Sequence, residues 1–461
     1  MFKSEVYIKR RAVLHRLMRS GVGLFIGHVD APMNYKSNAY HFRQDSDFLY
    51  FFGIDLPGFA GLMDFDSGED RMFGNDADMD DIIWTGPQPT VRELAVKTGI
   101  SKTGTIDDFE AIIKKCISEK RRIHFLPPYR AETKMNLGQS LNGNPCKVSD
   151  LASMELIKAV VSMRSVKDSF EIVEIEKAHV IAGEMHVKAM KMCKPGIKEQ
   201  DISGTIDGIA YRMGAGPAFP TILSMDGQTL HNHSHKNILE TGRMMIVDSG
   251  AESELHYASD ITRTTPVGGK FNTLQREIYE IVLRANMETI NAVKPGIPNL
   301  DLHLSAAAII AEGLKDLGIM KGDTGEAVAA GAHALFFPHG IGHMLGLDVH
   351  DMEGLGEEYV GYSETLKRSV QFGLAFLRLA LPLKPGNVIT IEPGCYFIPE
   401  LIGMWQTERK FRNFIDYEKI DRYKITGGVR IEDNVLVTES GHRVLGKPIP
   451  KTVDEVESAC S

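Results

Sequence analysis

Lys194-Pro195-Gly196-Ile197 follows a long stretch with helical spacing, and the same four residues return at Lys294-Pro295-Gly296-Ile297, 100 residues further along the chain. A shorter helical stretch follows each copy, and proline explains why each long helix ends there. The repeat predicts an internal duplication of a helix–helix–strand half. Chance is the alternative, since Pro-Gly is a common helix stop. Two such halves would face each other across a cleft, where binding sites tend to lie.

The long helix of the first half has a well-defined beginning. Asp168 can cap it, and Glu171 stands three residues later, which is a capping-box arrangement. Apolar residues then recur at steps of three or four and form one stripe, at Ile172, Ile175, Ala178, Ala182, Met185 and Ala189. The corresponding helices of the second half are predicted over 274–293 and 302–317.

Residues 1–155 predict a separate N-terminal α/β domain. Residues 5–19 have helical spacing, and strands are expected at 22–29, 49–54, 61–65 and 120–127. Because no ionisable residues cluster here at ligand-like spacing, this part is interpreted as a scaffold or lid. The boundary is expected near 155–165, and the second domain covers 165–450.

Composition excludes several classes of protein. The 461 residues include 52 Lys and Arg against 61 Asp and Glu, a net charge of −9, which disfavours nucleic-acid binding. Five scattered cysteines without a CxxC pair argue against a disulfide framework or a cysteine zinc site. With no apolar stretch of about 18 residues and no apolar leader segment, we expect no membrane partner and a cytoplasmic location.

Four acids stand at the ends or in the interior of apolar strand-like segments of the second domain, namely Asp248, Asp260, Glu392 and Glu432. A buried carboxylate is costly unless it is paired or bound to a metal, and four in one cleft would repel each other. Two divalent cations would balance them, and His343 is the best-placed nitrogen ligand. Two ions about 3.5–4 Å apart can activate a water and polarise a carbonyl. For each acid taken alone, a turn cap or a lysine pair is the alternative.

In order and context these motifs resemble the five-ligand signature of the pita-bread dinuclear metallopeptidases, which include aminopeptidase P, prolidase and methionine aminopeptidase. The matching motifs are Asp248, Asp260-Ile-Thr-Arg-Thr, His339-Gly-Ile-Gly-His343, Glu392-Pro-Gly and Arg430-Ile-Glu432, within residues 165–448. The segment 41–50, His-Phe-Arg-Gln-Asp-Ser-Asp-Phe-Leu-Tyr, is similar to the N-terminal domain of aminopeptidase P, which methionine aminopeptidases lack. The resemblance implies a mixed α/β (α+β) chain, with an N-terminal α/β domain before a pita-bread domain of two pseudo-duplicated halves.

The resemblance also implies a role for each matching residue. Asp248 would chelate one ion, Asp260 and Glu432 would bridge both, and His343 and Glu392 would complete the ligand sets. Glu392 would also be the general base. Further catalytic roles fall to His231, His350 and Arg430, and substrate contacts to His231, His339, His350, Arg378 and Tyr396. Mn²⁺ is the favoured ion, although Co²⁺, Zn²⁺ and Fe²⁺ tolerate such ligands.

Simpler interpretations remain open for several of these residues. His231, His233 and His235 alternate, so they would share one face of a strand and bind a metal adventitiously, or they would form a polar turn. His339 could be a core histidine bonded to a backbone carbonyl, and Arg378 a surface ion-pair residue. Cys395 is expected to pack in the core rather than act as a nucleophile.

The predicted activity is that of a manganese-dependent Xaa-Pro aminopeptidase acting on proline-containing peptides. A dedicated enzyme is useful because proline lacks an amide N–H and restricts its neighbour. Two features depart from that branch: the connection between Asp248 and Asp260 is one residue longer than expected, and the long stretch 397–426 is more prolidase-like. The alternatives are an Xaa-Pro dipeptidase and a non-catalytic pita-bread binding protein. The resemblance favours a homodimer or larger homo-oligomer, with the N-terminal domain in its contacts.

Overall fold

The computed structural model describes all residues from Met1 to Ser461, which form two compact units, Met1–Met163 and Arg164–Ser461. None of the helices combines the length and the apolar character that crossing a bilayer requires.

The first unit is built on a mixed five-stranded sheet. Its helices are α1 (Ser4–Leu17), α2 (Ser46–Phe52), α3 (Met79–Thr85), α4 (Val91–Lys97), α5 (Ile106–Ser118), α6 (Ala131–Ser140) and α7 (Met154–Arg164), which ends at the boundary. The strands are β1 (Val22–Ile26), β2 (Ala60–Asp64), β3 (Glu69–Phe73), β4 (Lys102–Gly104) and β5 (Ile123–Phe125), in the order β4-β3-β2-β1-β5. The two inner pairs are antiparallel and the two outer pairs are parallel. Leu24, Leu62 and Phe73 of the sheet pack against Phe109 and Ile113 of α5.

The expected strand at 49–54 is wrong, because this segment belongs to helix α2. The Asp45 side chain accepts a hydrogen bond from the Phe48 N–H and so caps the helix. Gly53 ends it in the left-handed region, with φ of 68°. A short run that is apolar throughout has no period that separates strand from helix, so the two caps decide.

The second unit contains long paired helices and small antiparallel sheets. Its helices are α8 (Ser169–Met192), α9 (Glu199–Met213), α10 (Thr273–Ala292), α11 (Asn299–Asp316), α12 (Thr324–Ala330), α13 (Glu357–Val360), α14 (Pro399–Thr407), α15 (Tyr417–Ile420) and α16 (Val453–Ala459). Its strands are β6 (Gly216–Pro217), β7 (Ile222–Ser224), β8 (Met244–Ser249), β9 (Ala251–Glu252), β10 (Ile261–Pro266), β11 (Val388–Ile391), β12 (Gly394–Tyr396), β13 (Gly428–Arg430), β14 (Asp433–Val437) and β15 (His442–Val444). The sheets are β10-β8-β7, β11-β14-β15, β12-β13 and β6-β9, and every pairing is antiparallel.

The two halves of this unit repeat one hydrogen-bond pattern. The Gly196 N–H donates to the Leu239 carbonyl at 2.9 Å, and the Gly296 N–H donates to the Leu383 carbonyl at 2.8 Å. Both glycines have positive φ, 85° and 82°, which a residue with a side chain adopts only with strain. Each helix-stop motif therefore plays the same part in its half, as a duplicated fold requires.

The capping box predicted at the start of α8 is present. Asp168 accepts from the Glu171 N–H, and Glu171 accepts from the Asp168 N–H. Buried residues of α8 such as Met185 and Ala189 share one core with Ile202 of α9 and Val247 of β8. This packing fixes β8, which carries Asp248, against the first helix pair.

Candidate metal centre and substrate cavity

The second unit contains a cavity of about 640 Å³. Except for Tyr396, every site residue predicted from the sequence lines it; these are His231, Asp248, Asp260, His339, His343, His350, Arg378, Glu392, Arg430 and Glu432. Segments separated by more than 200 residues of chain thus contribute to one hollow.

Asp248 and Asp260 reach the cavity from neighbouring strands. Asp248 lies near the end of β8, opposite Thr262 of β10 in the antiparallel register, and Asp260 immediately precedes β10. Both side chains are buried, and the Oδ1 atom of each has no hydrogen-bond partner. Burial raises the pKa of Asp260 well above its ordinary value, and the nearby Asp248 adds to the rise.

His343 and Glu392 come together because their segments run side by side. The Thr390 N–H donates to the His343 carbonyl at 3.0 Å, and the Glu392 N–H donates to the Ile341 carbonyl at 2.8 Å. Gly342 permits this approach, since a Cβ there would lie 2.0 Å from the Thr390 carbonyl oxygen. His343 Nε2 consequently lies 3.6 Å from Glu392 Oε1 and 3.4 Å from Asp260 Oδ2.

Glu432 completes the acidic cluster. It lies in the two-residue break between β13 and β14, and its Oε2 accepts a 2.7 Å hydrogen bond from Thr262 Oγ1. Burial raises its pKa well above the ordinary value, and Asp260 and Glu392 raise it further. Burial also raises the pKa of Glu392, to about 7, to which Asp260 contributes. The cavity wall therefore holds more negative charge than its protein neighbours compensate.

Arg430 is the cation that faces this cluster from within the fold. Its Nη2 donates to Asp248 Oδ2 at 2.7 Å, and its Nη1 donates to the Tyr396 hydroxyl at 2.8 Å. The same hydroxyl lies 2.9 Å from His339 Nε2, while His339 Nδ1 lies 2.9 Å from the Gly340 carbonyl. Tyr396 thus sits behind the cavity wall and joins two of its residues. His339 is both a cavity residue and a histidine bonded to a backbone carbonyl.

His350 and Arg378 form a second polar wall. The His350 ring lies 4.2 Å from that of His343, measured between centroids, and its Nδ1 lies 2.6 Å from Glu353 Oε2. Arg378 Nη1 donates to Glu353 and, at 3.0 Å, to Glu357. Arg378 is therefore an ion-pair residue that lies at the cavity rather than on a remote surface.

The alternating histidines lie in a turn and loop, not in a strand. His231 and His233 line the rim of the cavity, and both are exposed. His235 Nε2 lies 3.1 Å from the Thr221 carbonyl. The shared strand face proposed for an adventitious metal does not form, and the polar turn describes this segment.

Cys395 packs in the core, as expected. It is fully buried, and burial raises the pKa of its thiol far above the ordinary value. A thiol that stays protonated is a poor nucleophile.

Several residues in or next to the cavity wall were not predicted from the sequence. Glu353 and Glu357 hold Arg378, and the aromatic side chains of Phe372 and Phe376 line the cavity. The buried Asn286 of α10 contacts the segments that carry Glu392 and Glu432. The sequence does contain a sign of this residue's importance, because the Asn286 amide interrupts the apolar stripe of that helix.

The donor set fits divalent metal ions. Ligand atoms of Asp260, His343 and Glu432 lie within 4.8 Å of one another. The partnerless oxygens of Asp248 and Asp260 and the crowded carboxyls are the features that bound cations would satisfy. Oxygen-rich ligation with one imidazole suits ions such as Mn²⁺, Co²⁺ or Zn²⁺.

Comparison with known proteins covers both units. Residues 173–439 match the family described as metallopeptidase family M24, and residues 7–124 match the aminopeptidase P N-terminal domain. A probable Xaa-Pro aminopeptidase of Fusarium vanettenii is 31% identical, over 91% of this chain and 88% of its own. The Xaa-Pro dipeptidase of Homo sapiens is 31% identical, over 90% and 84%. An Escherichia coli aminopeptidase P variant, solved in complex with substrate, superposes with a TM-score of 0.81 at 27% identity, covering 100% of this chain and 98% of its own.

Proposed function

This chain belongs to metallopeptidase family M24, and on that premise we propose that it is an Xaa-Pro aminopeptidase, which hydrolyses the bond between an N-terminal residue and a penultimate proline. The observation that carries the proposal is the gathering of Asp248, Asp260, Glu392, Glu432 and His343 on one wall of a cavity of about 640 Å³. A non-catalytic binding protein would have no need to retain so costly a cluster.

The cofactor of the proposal is a pair of divalent metal ions, with Mn²⁺ first and Co²⁺, Zn²⁺ or Fe²⁺ as alternatives. Asp248, Asp260, His343, Glu392 and Glu432 would hold them. When bound, such a pair polarises the scissile carbonyl and makes a water more nucleophilic.

Glu392 is proposed as the general base. Its carboxylate would take a proton from the attacking water and deliver it to the leaving proline nitrogen. Glu392 lines the cavity beside His343, so its carboxylate lies where it can reach a water held at the acidic cluster.

The remaining residues would orient the peptide and the catalytic groups. His231 and His350 line the cavity from different segments. His231 would contact the substrate and help to stabilise the tetrahedral intermediate, and His350 would contact the scissile peptide. His339 lines the same wall. Arg430 would hold Asp248 in place, and Tyr396 would hold Arg430 and His339 through its hydroxyl.

An Xaa-Pro dipeptidase is the second candidate, and Arg378 is the observation that favours it. A guanidinium at the cavity wall can receive the carboxylate of a dipeptide, and such a contact could be bidentate. Against this, Arg378 already bonds Glu353 and Glu357.

The proposal includes a homodimer in the cytoplasm. Helix α3 supports self-association, because Met79, Ile83 and Trp84 are 69%, 69% and 85% exposed and large apolar side chains favour interfaces. The five cysteines are all free, in keeping with a reducing compartment. Light scattering would measure the oligomeric state, and Trp84→Ser should weaken self-association.

Peptide cleavage with added Mn²⁺ tests the activity. We expect Ala-Pro-Ser to be cleaved after alanine and Ala-Ala-Ser, which lacks proline, to remain intact. Cleavage of Ala-Pro alone would favour the dipeptidase, and cleavage of none of the three would contradict the proposed function.

A further inference from the structure

Two aromatic side chains, Phe372 and Phe376, border the cavity and are only partly covered. They are 39% and 55% exposed, and their ring centroids lie 6.0 Å apart in an edge-to-face arrangement. We call this pair the aromatic lip. None of the roles assigned above uses it.

The backbone holds the aromatic lip in a defined shape. The Ala375 N–H donates to the Gln371 carbonyl at 2.7 Å, and the Phe376 N–H donates to the Gly373 carbonyl at 3.1 Å. Gly373 has φ of 85°, and a Cβ there would lie 2.6 Å from the Cβ of Ala334. The lip is therefore presented by an ordered turn.

The long stretch 397–426 supports the aromatic lip from behind. Its helix α14 carries Trp405, which is 2% exposed and whose ring lies 5.9 Å from that of Phe372. Lys410 Nζ lies 4.1 Å from the Trp405 ring centroid, a cation–π contact that helps to hold the indole in place. The stretch 397–426, to which the catalytic site assigns no role, thus contacts the cavity wall.

The charges of the cavity give the direction of a bound peptide. A free N-terminal amine is attracted to the acids Asp248, Asp260, Glu392 and Glu432, so the first residue of the peptide is directed to them. The aromatic lip carries no charge and lines the same cavity, so it suits the part of the peptide that follows the scissile bond.

The pairing of Arg378 favours peptides longer than two residues. Glu353 and Glu357 both accept from Arg378, so its charge is already compensated. The volume of about 640 Å³ falls in the range of pockets that hold ligands of drug size, which leaves room beyond a dipeptide.

We propose that Phe372 and Phe376 form a subsite for an apolar side chain on the residue that follows proline in the substrate, and that Trp405 is a positioning residue for Phe372. The inference rests on the proposed function, and it adds a preference among Xaa-Pro peptides for an apolar residue after the proline.

The test compares kcat/KM for Ala-Pro-Phe and Ala-Pro-Ser, with Ala-Pro as the reference dipeptide. The unmodified enzyme should prefer Ala-Pro-Phe by about tenfold, the lower end for one apolar group in a pocket. The double variant Phe372→Ala/Phe376→Ala should bring the ratio close to one. Val370→Ala is the matched control, because Val370 is 99% exposed on the same segment and does not line the cavity.

Trp405 is tested by a separate pair of variants. Trp405→Ala should raise KM for Ala-Pro-Phe several-fold more than KM for Ala-Pro-Ser, with kcat for both changing alike. Trp405→Phe should restore the preference, since a smaller ring still backs Phe372. A uniform loss on both peptides would reduce Trp405 to a structural residue and overturn its positioning role.

The outcomes separate this inference from the proposed function. If Ala-Pro-Phe and Ala-Pro-Ser are cleaved equally well, or if the double variant keeps the preference, the subsite is wrong while the activity stands. Cleavage of Ala-Pro alone would also remove the subsite and favour a dipeptidase. Failure to cleave all three peptides would remove both proposals.

Discussion

The carboxylate of Glu392 has two proposed roles, as a metal ligand and as the general base. It lies 3.6 Å from His343 Nε2, within the proposed metal centre, and it lines the cavity that would receive the substrate. The side chain is 19% exposed, so it can meet both the interior cluster and a substrate in the cavity. This position suits a group that exchanges a proton during turnover.

Glu392→Gln should lower kcat by roughly 100-fold or more, because an amide cannot act as the base. The measurement is cleavage of Ala-Pro-Ser by the variant, together with its metal content. Glu400→Gln, the same change at an exposed position of α14, is the control. A variant that turns over at the unmodified rate would show that another group carries the proton.

At the scale of elements, helix α10 ties together the two segments that bear Glu392 and Glu432. The Asn286 amide donates to the Ile391 carbonyl at 3.1 Å and to the Ile431 carbonyl at 3.2 Å, each one residue before a cluster acid. Asn286 Oδ1 in turn accepts from Lys451 Nζ at 2.9 Å. One buried side chain therefore sets the distance between two strand ends.

Asn286→Ala should destabilise the protein by about 1–3 kcal/mol, because it leaves two buried carbonyls without a donor. It should also weaken metal binding, since both acids lose their anchor. Urea unfolding and metal titration measure the two effects. Asn291→Ala, at an exposed position of the same helix, should change neither; normal metal affinity in Asn286→Ala would refute the anchoring role.

The helices and strands also show where a local sequence pattern is sufficient to predict an element and where it is not. The spacing of apolar residues and the caps located α8 to α11 within a few residues, since each long helix has a full stripe and a clear stop. The segment 49–54 was misassigned because an unbroken apolar run carries no period.

At the scale of the whole molecule, the second unit buries histidines as neutral groups. His303 of α11 is fully buried, and neither of its ring nitrogens has a hydrogen-bond partner. Burial lowers the pKa of His303 to about 3 and that of His333 to about 4. Because the unfolded chain binds these protons near pH 6.5, stability is present above that pH and falls toward pH 4.

His303→Leu should therefore reduce the loss of stability on acidification. Each such histidine costs roughly 1.4 kcal/mol per pH unit below 6.5, so the variant should exceed the unmodified protein more at pH 5 than at pH 7. Urea midpoints at the two pH values give the answer. His41→Leu removes an exposed histidine and is the control; equal pH dependence in all three proteins would contradict the argument.

Metal binding and folding should be linked through the acidic cluster. Removing metal with a chelator should lower Tm, because ions that bind only the folded state stabilise it by mass action. Asp260→Asn should lower Tm in the presence of metal yet raise it in the metal-free protein, where it removes one of the mutually repelling buried carboxyls. Asp301→Asn, an exposed control on α11, should shift Tm equally in both states. If metal changed the Tm of Asp260→Asn no differently from that of the unmodified protein, Asp260 would not be a ligand of the metal centre.

The amino-acid sequence by itself determined the mixed α/β class, the duplicated halves and the identity of the acids and His343. These follow from local periodicity, from helix stops and from motifs that can be recognised by their order along the chain. The gathering of the acids in one cleft was a hypothesis there, based on the cost of burying unpaired acids at strand ends, and the resemblance added the role of each acid.

Tertiary structure alone decided which neighbours these residues have. Asn286 beneath two strand ends, the ion pairs of Arg378 and the contact of Trp405 with Phe372 join positions from 21 to 145 residues apart. No periodicity relates such positions, because their distance in space is set by how helices and sheets pack and not by spacing along the chain.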